Sequence, residues 1–505
     1  MHRLRNVPVL VLLMGIGALL MYLPALHAIS IRDHHVARAF FYSGTLFLIL
    51  IALIGFATAA GRQDDTPRGQ LLTLLGCFTI LPLMLAVPVS EAIPDTSFLN
   101  AWWEMVSSLT TTGATLFAPD RLPPSVHLWR ALAGWMGGAI ILVSAVAVLA
   151  PMNLGGFEVL GAGGASATGL AGAGFNLRVV DLRGRLARAS ISILPVYVAL
   201  TVILWIVLIL AGDPSLIAAC HAMSTLATSG ISPVGGMAAA PSGPGGEILI
   251  FLFLFLALTR RFYPSGKLQV GAQRLFQDPE LRFGLLFIVT LPALLFLRHW
   301  IGALEIDEVP GIGQALLAIW GAVFTVLSFL TTTGFESASW EEARNWSGLA
   351  TPGLILAGLA VIGGGVATTA GGVKLLRVYA LYRHGEREVE RLVHPSSIGG
   401  SGAVARKLRR QGAQMAWVFF MLFALSIAVT MLALSLSGLD FEKTTILSVA
   451  ALSTTGPLAN VAGSAPIDWA TLDAWAKTVV AAAMVLGRLE TLAIIALLNP
   501  DFWRN

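Results

Sequence analysis

Four short stretches of the chain share a Thr/Ser-rich turn that ends in glycine. They are Ser107-Ser108-Leu109-Thr110-Thr111-Thr112-Gly113, Ser224-Thr225-Leu226-Ala227-Thr228-Ser229-Gly230, Ser328-Phe329-Leu330-Thr331-Thr332-Thr333-Gly334 and Ala450-Ala451-Leu452-Ser453-Thr454-Thr455-Gly456. A serine or alanine recurs six residues before each glycine. One such turn would mean little, but four at matched positions between apolar segments point to a shared task. An extended Thr-Thr-Gly turn can aim successive carbonyl oxygens at one point and replace the hydration shell of an ion. Glycine supplies backbone angles that other residues resist. A short helix ending at the turn points its partly negative C-terminus the same way. Asp95, Ser97, Asp213 and Asp440 stand where the N-caps of three such helices are expected. Carbonyl rings without a ring of carboxylates suit a large, weakly hydrated monovalent cation better than Ca²⁺ or Mg²⁺.

Two further features carry chemistry. Gly363, Gly364, Gly365, Gly371 and Gly372, with Thr368 and Thr369 among them, lie inside an apolar segment. So many glycines destabilise an uninterrupted helix, so a broken helix forming a movable constriction is expected; a close helix-packing face of small residues is the alternative. Arg488 sits deep in the last apolar segment, where a charge is expensive and usually functional. It is expected beneath the turns, as an electrostatic barrier and an anchor for the glycine-rich loop; an ion pair with Glu490 or a snorkelled surface arginine is the alternative. Glu104 reads as a structural hydrogen-bond partner behind the first turn, and His221, in a similar place in the second, as a packing histidine.

The elements that position these residues follow from composition. Of 505 residues, 56% are apolar and 12% charged, with a mean hydropathy of +0.79. A soluble protein carries about 25% charged residues, so soluble enzyme folds and nucleic-acid binders are excluded. Apolar runs near 8–29, 38–60, 70–92, 128–150, 189–211, 247–262, 283–301, 352–382, 414–437 and 474–498 predict ten crossings, with both termini on one side. Threaded alternately, the chain gathers most of its 32 Lys and Arg on the terminal side, which makes that side cytoplasmic. Acidic residues gather in the opposite loops, where they would concentrate cations. Residues 8–29 read as a helix and not a signal peptide, because Leu26-His27-Ala28 is a poor cleavage site. Cys77 and Cys220 read as small buried thiols. Trp102, Trp103, Trp129, Trp300, Trp340, Trp346, Trp469 and Trp475 read as an interfacial belt.

Each turn lies between two spans, so each unit is helix, re-entrant loop, helix, and all units share one orientation. Parallel units close into a ring around an axis normal to the membrane; inverted repeats would need odd crossing numbers. The fold class is therefore an all-α polytopic membrane protein, with four pseudo-symmetric helix–pore-loop–helix units around a central pore and two leading transmembrane helices. The expected divisions are 1–62 for the leading pair, then 63–160, 161–275, 276–400 (with the glycine loop) and 401–505 for the units. A membrane-embedded enzyme would need clustered His, Glu or Asp on facing helices, and only Glu104, Arg488 and Glu490 are plausible intramembrane ionisable groups.

From about residue 70 to 498 these motifs resemble the Trk/Ktr/HKT potassium-uptake family, and the extra leading spans resemble its Trk branch. Trp129-Arg130 with Trp135-Met136-Gly137-Gly138 is similar to the start of the second helix in the family's first unit. Gly487-Arg488-Leu489-Glu490 is similar to its last-helix motif, and residues 363–374 to its intramembrane gating loop. The resemblance implies potassium uptake across a bacterial inner membrane, with K⁺ as the transported ion and no covalent cofactor. It also implies a homodimer, a cytosolic nucleotide-binding regulatory subunit and contact with membrane lipids. Carried over residue by residue, it assigns ion coordination to Thr111 and Thr112, Thr228 and Ser229, Thr332 and Thr333, and Thr454 and Thr455, each pair with its filter glycine. In the plant branch a serine at the first filter glycine goes with sodium transport; here all four positions are glycine. A sodium-permeable or proton-coupled symporter of the same fold is the alternative. The chain departs from the resemblance in two places. Its fourth turn lacks the nearby asparagine frequent in Trk members, and residues 161–169 lack their acidic Glu-Thr-Pro-Gly stretch.

Overall fold

A backbone in hydrocarbon must satisfy its own hydrogen bonds, so apolar segments of this length become helices. The computed structural model describes residues 7–58, 67–152, 154–159, 182–262, 278–303, 312–348, 353–393 and 403–490, and among them there is no strand. Helices α1 (Val9–Leu20), α2 (Tyr22–Ser30) and α3 (His34–Thr58) form the leading pair of spans. The first unit holds α4 (Pro67–Thr79), α5 (Leu81–Ala92), α6 (Phe98–Leu109) and α7 (Pro124–Ser144). The second holds α8 (Leu182–Leu210), α9 (Ser215–Ala227) and α10 (Gly243–Leu254). The third holds α11 (Pro279–Ala303), α12 (Ile312–Leu330), α13 (Trp340–Ser347), α14 (Gly353–Ile362) and α15 (Leu375–Val393). The fourth holds α16 (Ala403–Ser435), α17 (Phe441–Leu452), α18 (Leu458–Val461) and α19 (Ala474–Leu489).

Among the described residues, eight helices are long and apolar enough to cross a membrane, against ten crossings expected. Seven of them match expected spans. The eighth, Gly313–Leu330, leads into the third turn and is longer than the short stretch expected there. Of the other expected spans, 247–262 shortens because α10 gives way to 3-10 turns after Leu254. Span 352–382 stops at Ile362 and resumes at Leu375. Span 474–498 is described as far as Glu490, and residues 161–169 fall outside the described residues.

The order of packing closes a ring. Within each unit the short helix before the turn (α6, α9, α12, α17) packs on its own outer helix. Each following helix also packs on the next unit's short helix: α7 on α9, α10 on α12, α14 on α17, and α19 back on α6. The last contact joins the two ends of the repeat, so four units close with none left over. Small residues let the backbones approach. A methyl group on Gly137 of α7 would lie 1.9 Å from the Leu109 carbonyl, and one on Gly487 of α19 would lie 2.2 Å from that of Leu452. Helices α1, α2 and α3 pack against α4, α5 and α7 on the outside of the first unit.

Outward faces carry apolar side chains, among them Leu46, Phe56, Ile191, Val289 and Leu432, as a surface facing lipid should. The tryptophan belt is largely overturned. Trp103 and Trp129 are fully buried, Trp340, Trp346 and Trp469 nearly so, and Trp475 is exposed. The two fully buried rings find their partners inside the protein, Trp129 edge-on to Phe40 of α3. Trp103 packs on Trp469 with centroids 5.6 Å apart, and Trp129 Nε1 donates to the Leu85 carbonyl at 3.1 Å. Cys77 and Cys220 are free and buried, as expected.

Candidate functional site

All four short helices end in one device. The N–H of the residue before the glycine donates to the carbonyl five positions back: Thr112 to Ser107 (2.9 Å), Ser229 to Ser224 (2.9 Å), Thr333 to Ser328 (2.9 Å) and Thr455 to Ala450 (2.8 Å). This is the long bond of a Schellman cap, which needs a left-handed residue between. The left-handed residue is a threonine each time: Thr111 (φ 57°), Thr228 (50°), Thr332 (57°) and Thr454 (54°). Glycine is the usual choice there, and a β-branched residue at positive φ is a genuine outlier. Strain of this kind collects at functional sites, where surrounding structure enforces it. The recurrent Ser/Ala six residues before the glycine is therefore the residue whose carbonyl closes the turn.

The turns meet one another in ring order. A methyl group on Gly113 would lie 1.7 Å from the Ser229 carbonyl oxygen, one on Gly230 2.2 Å from that of Thr333, one on Gly334 3.0 Å from Pro457, and one on Gly456 2.2 Å from the Ala114 amide. Gly456 N donates to the Thr112 carbonyl at 2.7 Å. The ring is thus drawn tightly together, and only glycine fits at its contacts. Gly113, Gly230 and Gly334 are left-handed (φ 73°, 66° and 83°), whereas Gly456 is not among the positive-φ residues and leads through Pro457 into α18.

Side chains of the second residue of each pair turn back toward the short helices. Thr112 Oγ1 meets Thr110 Oγ1 at 2.8 Å, Thr333 meets Thr331 at 3.1 Å, Ser229 donates to Ser224 at 3.0 Å, and Thr455 meets Ser453 at 3.2 Å. The first residues behave differently. Thr228 donates to the Ala227 carbonyl at 2.8 Å, while the hydroxyls of Thr111 and Thr454 are buried without partners. Buried polar atoms left unpaired are rare and call for an explanation.

A brace stands behind three of the turns, nine residues before the glycine. Glu104 accepts from Leu116 N at 3.0 Å and pairs with Arg130 at 2.6 Å, both side chains buried. His221 Nε2 meets Ser232 Oγ at 2.9 Å and its ring packs edge-on to Phe335. Thr325 Oγ1 accepts from Ser337 N at 3.3 Å. Glu104 and His221 thus take the structural and packing roles expected. Glu247 of α10, unremarked in the sequence, reaches across to the third unit. It accepts from Trp320 Nε1 at 2.8 Å, Ser337 Oγ at 2.8 Å and Ala338 N at 2.5 Å. The expected caps are half correct. Ser97 accepts from Asn100 N at 3.3 Å, and Asp440 takes the N-cap position of α17 without a side-chain bond. Pro214, not Asp213, is the N-cap of α9; Asp213 instead accepts from Ser242 N at 2.8 Å and faces His221 Nδ1 at 3.8 Å. Asp95 does not cap α6. Beyond the third turn Glu336 is partly shielded, and burial, with Glu341 nearby, pushes its carboxyl up to about 7.

Under the ring lies the break between α14 and α15. Its ends are tied by Val373 N to the Val361 carbonyl (2.8 Å), Lys374 N to that of Ile362 (2.8 Å) and Leu375 N to that of Gly364 (2.9 Å). From this base residues 369–371 reach three turns. Thr369 Oγ1 donates to the Leu226 carbonyl at 3.1 Å, and Gly371 N donates to Thr332 Oγ1 at 2.7 Å. A methyl group on Gly371 would lie 2.2 Å from the Ser453 carbonyl oxygen and 2.3 Å from Thr454 Oγ1. Gly363, Gly364, Gly365 and Gly372 are equally confined, each within 2.6 Å of backbone or side-chain atoms at that position. Val366 N is held by Glu280 at 2.8 Å, and Thr368 Oγ1 donates to the Gly365 carbonyl at 2.7 Å.

Arg488 is buried and donates from Nη1 to the Thr369 carbonyl at 2.6 Å, leaving Nε and Nη2 without partners. It lines a small cavity of about 30 Å³ with Thr368, Gly371, Gly372, Lys374 and Glu490. The alternative pairing with Glu490 does not occur. Glu490 pairs with Arg377 at 2.6 Å, which also holds Glu158 at 2.5 Å and stacks on Phe419 at 3.6 Å. This buried hub joins the first, third and fourth units. No sequence signal singled out Arg377, whose neighbours suggest an ordinary cytoplasmic basic run.

Comparison with known proteins agrees with this architecture. The family described as TrkH, cation transport protein, matches residues 249–502. The Trk system potassium uptake protein TrkH of Salmonella typhimurium is 30% identical over 488 residues, covering 96% of each chain. TrkI of Halomonas elongata, also titled a Trk system potassium uptake protein, is 29% identical over 85% of this chain and 82% of its own. The crystal structure of the potassium transporter TrkH from Vibrio parahaemolyticus superposes over the whole of both chains, with a TM-score of 0.81 and 26% identity.

Proposed function

Because the chain belongs to the TrkH family of cation transport proteins, we propose that it takes up potassium across a bacterial inner membrane through the ring of four turns. It is a multi-pass membrane transporter and not an enzyme. The observation that carries the reading is the fourfold repetition of a strained left-handed threonine turn, closed into a ring above a glycine loop hydrogen-bonded to it. In this reading the ion meets, from outside, the carbonyls of Thr112, Ser229, Thr333 and Thr455. It then passes the inner residues Thr111, Thr228, Thr332 and Thr454. The glycine loop, held by Arg488, blocks the inner exit and must withdraw for flux. Gly456 N on the Thr112 carbonyl and the tight glycine contacts describe a ring that must widen to admit an ion. Potassium is favoured over sodium because a wide carbonyl ring replaces the hydration shell of the larger ion more completely. Both termini lie in the cytoplasm; the protein works as a homodimer with a nucleotide-binding regulatory subunit on that side.

The test is radiolabelled rubidium uptake into liposomes holding the purified protein, with potassium or sodium as competitor, beside Gly113→Ser. Uptake blocked by potassium and insensitive to sodium, with preference lost in the variant, is expected. A side chain at Gly113 would displace the Ser229 carbonyl. Equal block by both ions in the unaltered protein overturns the selectivity reading.

A further inference from the structure

The hydroxyl of Thr332 has two possible partners. It accepts the Gly371 N–H at 2.7 Å, the one hydrogen bond to it among the described residues. It also belongs to the inner set of four left-handed threonines, two of which, Thr111 and Thr454, present buried hydroxyls with no partner at all. Gly371 lies between the third and fourth turns: its N–H reaches Thr332, and a methyl group on it would collide with Thr454 Oγ1. A peptide N–H places a partly positive hydrogen against the oxygen, where a cation would otherwise sit. The same oxygen cannot serve both well.

We propose that the Gly371 peptide and the transported monovalent cation compete for the Thr332 hydroxyl, so that seating of the glycine loop and occupation of the innermost ion position exclude each other. The proposal rests on the filter-and-loop reading given above and extends it. With the loop seated, Thr332 is committed to Gly371. With the loop withdrawn, its oxygen joins the unpartnered hydroxyls of Thr111 and Thr454 as an ion ligand. By linkage, an ion that binds only the withdrawn state must favour that state. The filter is then a sensor of its own cargo: potassium helps to open the exit that lets it leave.

Loop withdrawal is read by maleimide labelling of Ala367→Cys, which lines the cavity below the ring, in a protein whose Cys77 and Cys220 are replaced by alanine. Labelling is followed in liposomes as potassium replaces sodium at constant ionic strength. The expected result is labelling faster in potassium by roughly twofold to tenfold, the range one neutral hydrogen bond spans. Thr332→Ser, which keeps the hydroxyl, should preserve this dependence. Thr332→Ala and the shape-matched Thr332→Val should abolish it and label quickly in both salts. Two alanine and valine variants are used so that misfolding of one, seen as loss of a monodisperse peak, leaves the other. A potassium dependence that survives in Thr332→Ala, or none in the parent, overturns the proposal. Rubidium uptake on the same vesicles separates this from failure of the underlying reading: a parent that still prefers potassium to sodium keeps the filter while losing the competition.

Discussion

Replacing Arg488 by methionine should raise resting flux about tenfold. The arginine holds the glycine loop through one charge-assisted bond, Nη1 to the Thr369 carbonyl at 2.6 Å. Bonds of that class are worth about 1.5–3 kcal/mol, and about 1.4 kcal/mol is a factor of ten in an equilibrium. The bond alone therefore biases the loop toward its seated position by roughly tenfold to a hundredfold or slightly more. An opposing term decides which end applies. Nε and Nη2 are buried without partners, a penalty in the seated state that hydration relieves when the loop withdraws. The lower end follows. Methionine matches the length of the arginine stem and removes both bond and charge, while Arg488→Lys keeps the charge and loses the planar fork. Rubidium efflux from liposomes, at equal monodisperse protein, is the assay. Methionine should flow fastest and lysine should fall between it and the parent. Unchanged or reduced flux in Arg488→Met refutes the anchoring argument. Equal flux in the two variants would remove the charge from the barrier and leave only the bond.

Two further outcomes follow from the packing around the ring. Gly137→Ala and Gly487→Ala each place a methyl group within 2.2 Å of a carbonyl at the end of a short helix, and overpacking of this kind costs about 1–3 kcal/mol. Both should lower the thermal midpoint in detergent, whereas Gly385→Ala, with nothing within 4 Å, should leave it unchanged or raise it slightly. Glu104→Gln breaks the 2.6 Å pair with Arg130 and strands a buried guanidinium, at about 3–5 kcal/mol. The double variant Glu104→Leu with Arg130→Met should lose less than Glu104→Gln alone in the same melt.

The sequence by itself determined the class, the repeat, and the turns and glycine-rich break that the structure brings together. Charge content and apolar run length are sums over the chain, and lipid accepts only backbones that satisfy themselves, so helices spanning a membrane followed directly. The four turns were legible because each is a local pattern, and the break at Gly363 because glycine acts on the helix that contains it. Arg488 stood out because a charge at that depth is rare whatever surrounds it. Tertiary structure decided what these residues touch. Nothing local marks Thr111, Thr228, Thr332 and Thr454 as left-handed, since threonine resists that conformation; the ring and the bond to the carbonyl five residues back impose it. Glu490 and Arg488 are two residues apart, yet Glu490 pairs with Arg377 and Arg488 with Thr369. Trp103 and Trp129 went inside, and Asp213 turned from a cap to Ser242 and His221. Apart from the turn bond, which stays within one short helix and its cap, each partner lies on another segment, and its identity depends on how the elements are rotated and offset against each other, a relation that exists only once the four units have closed into a ring.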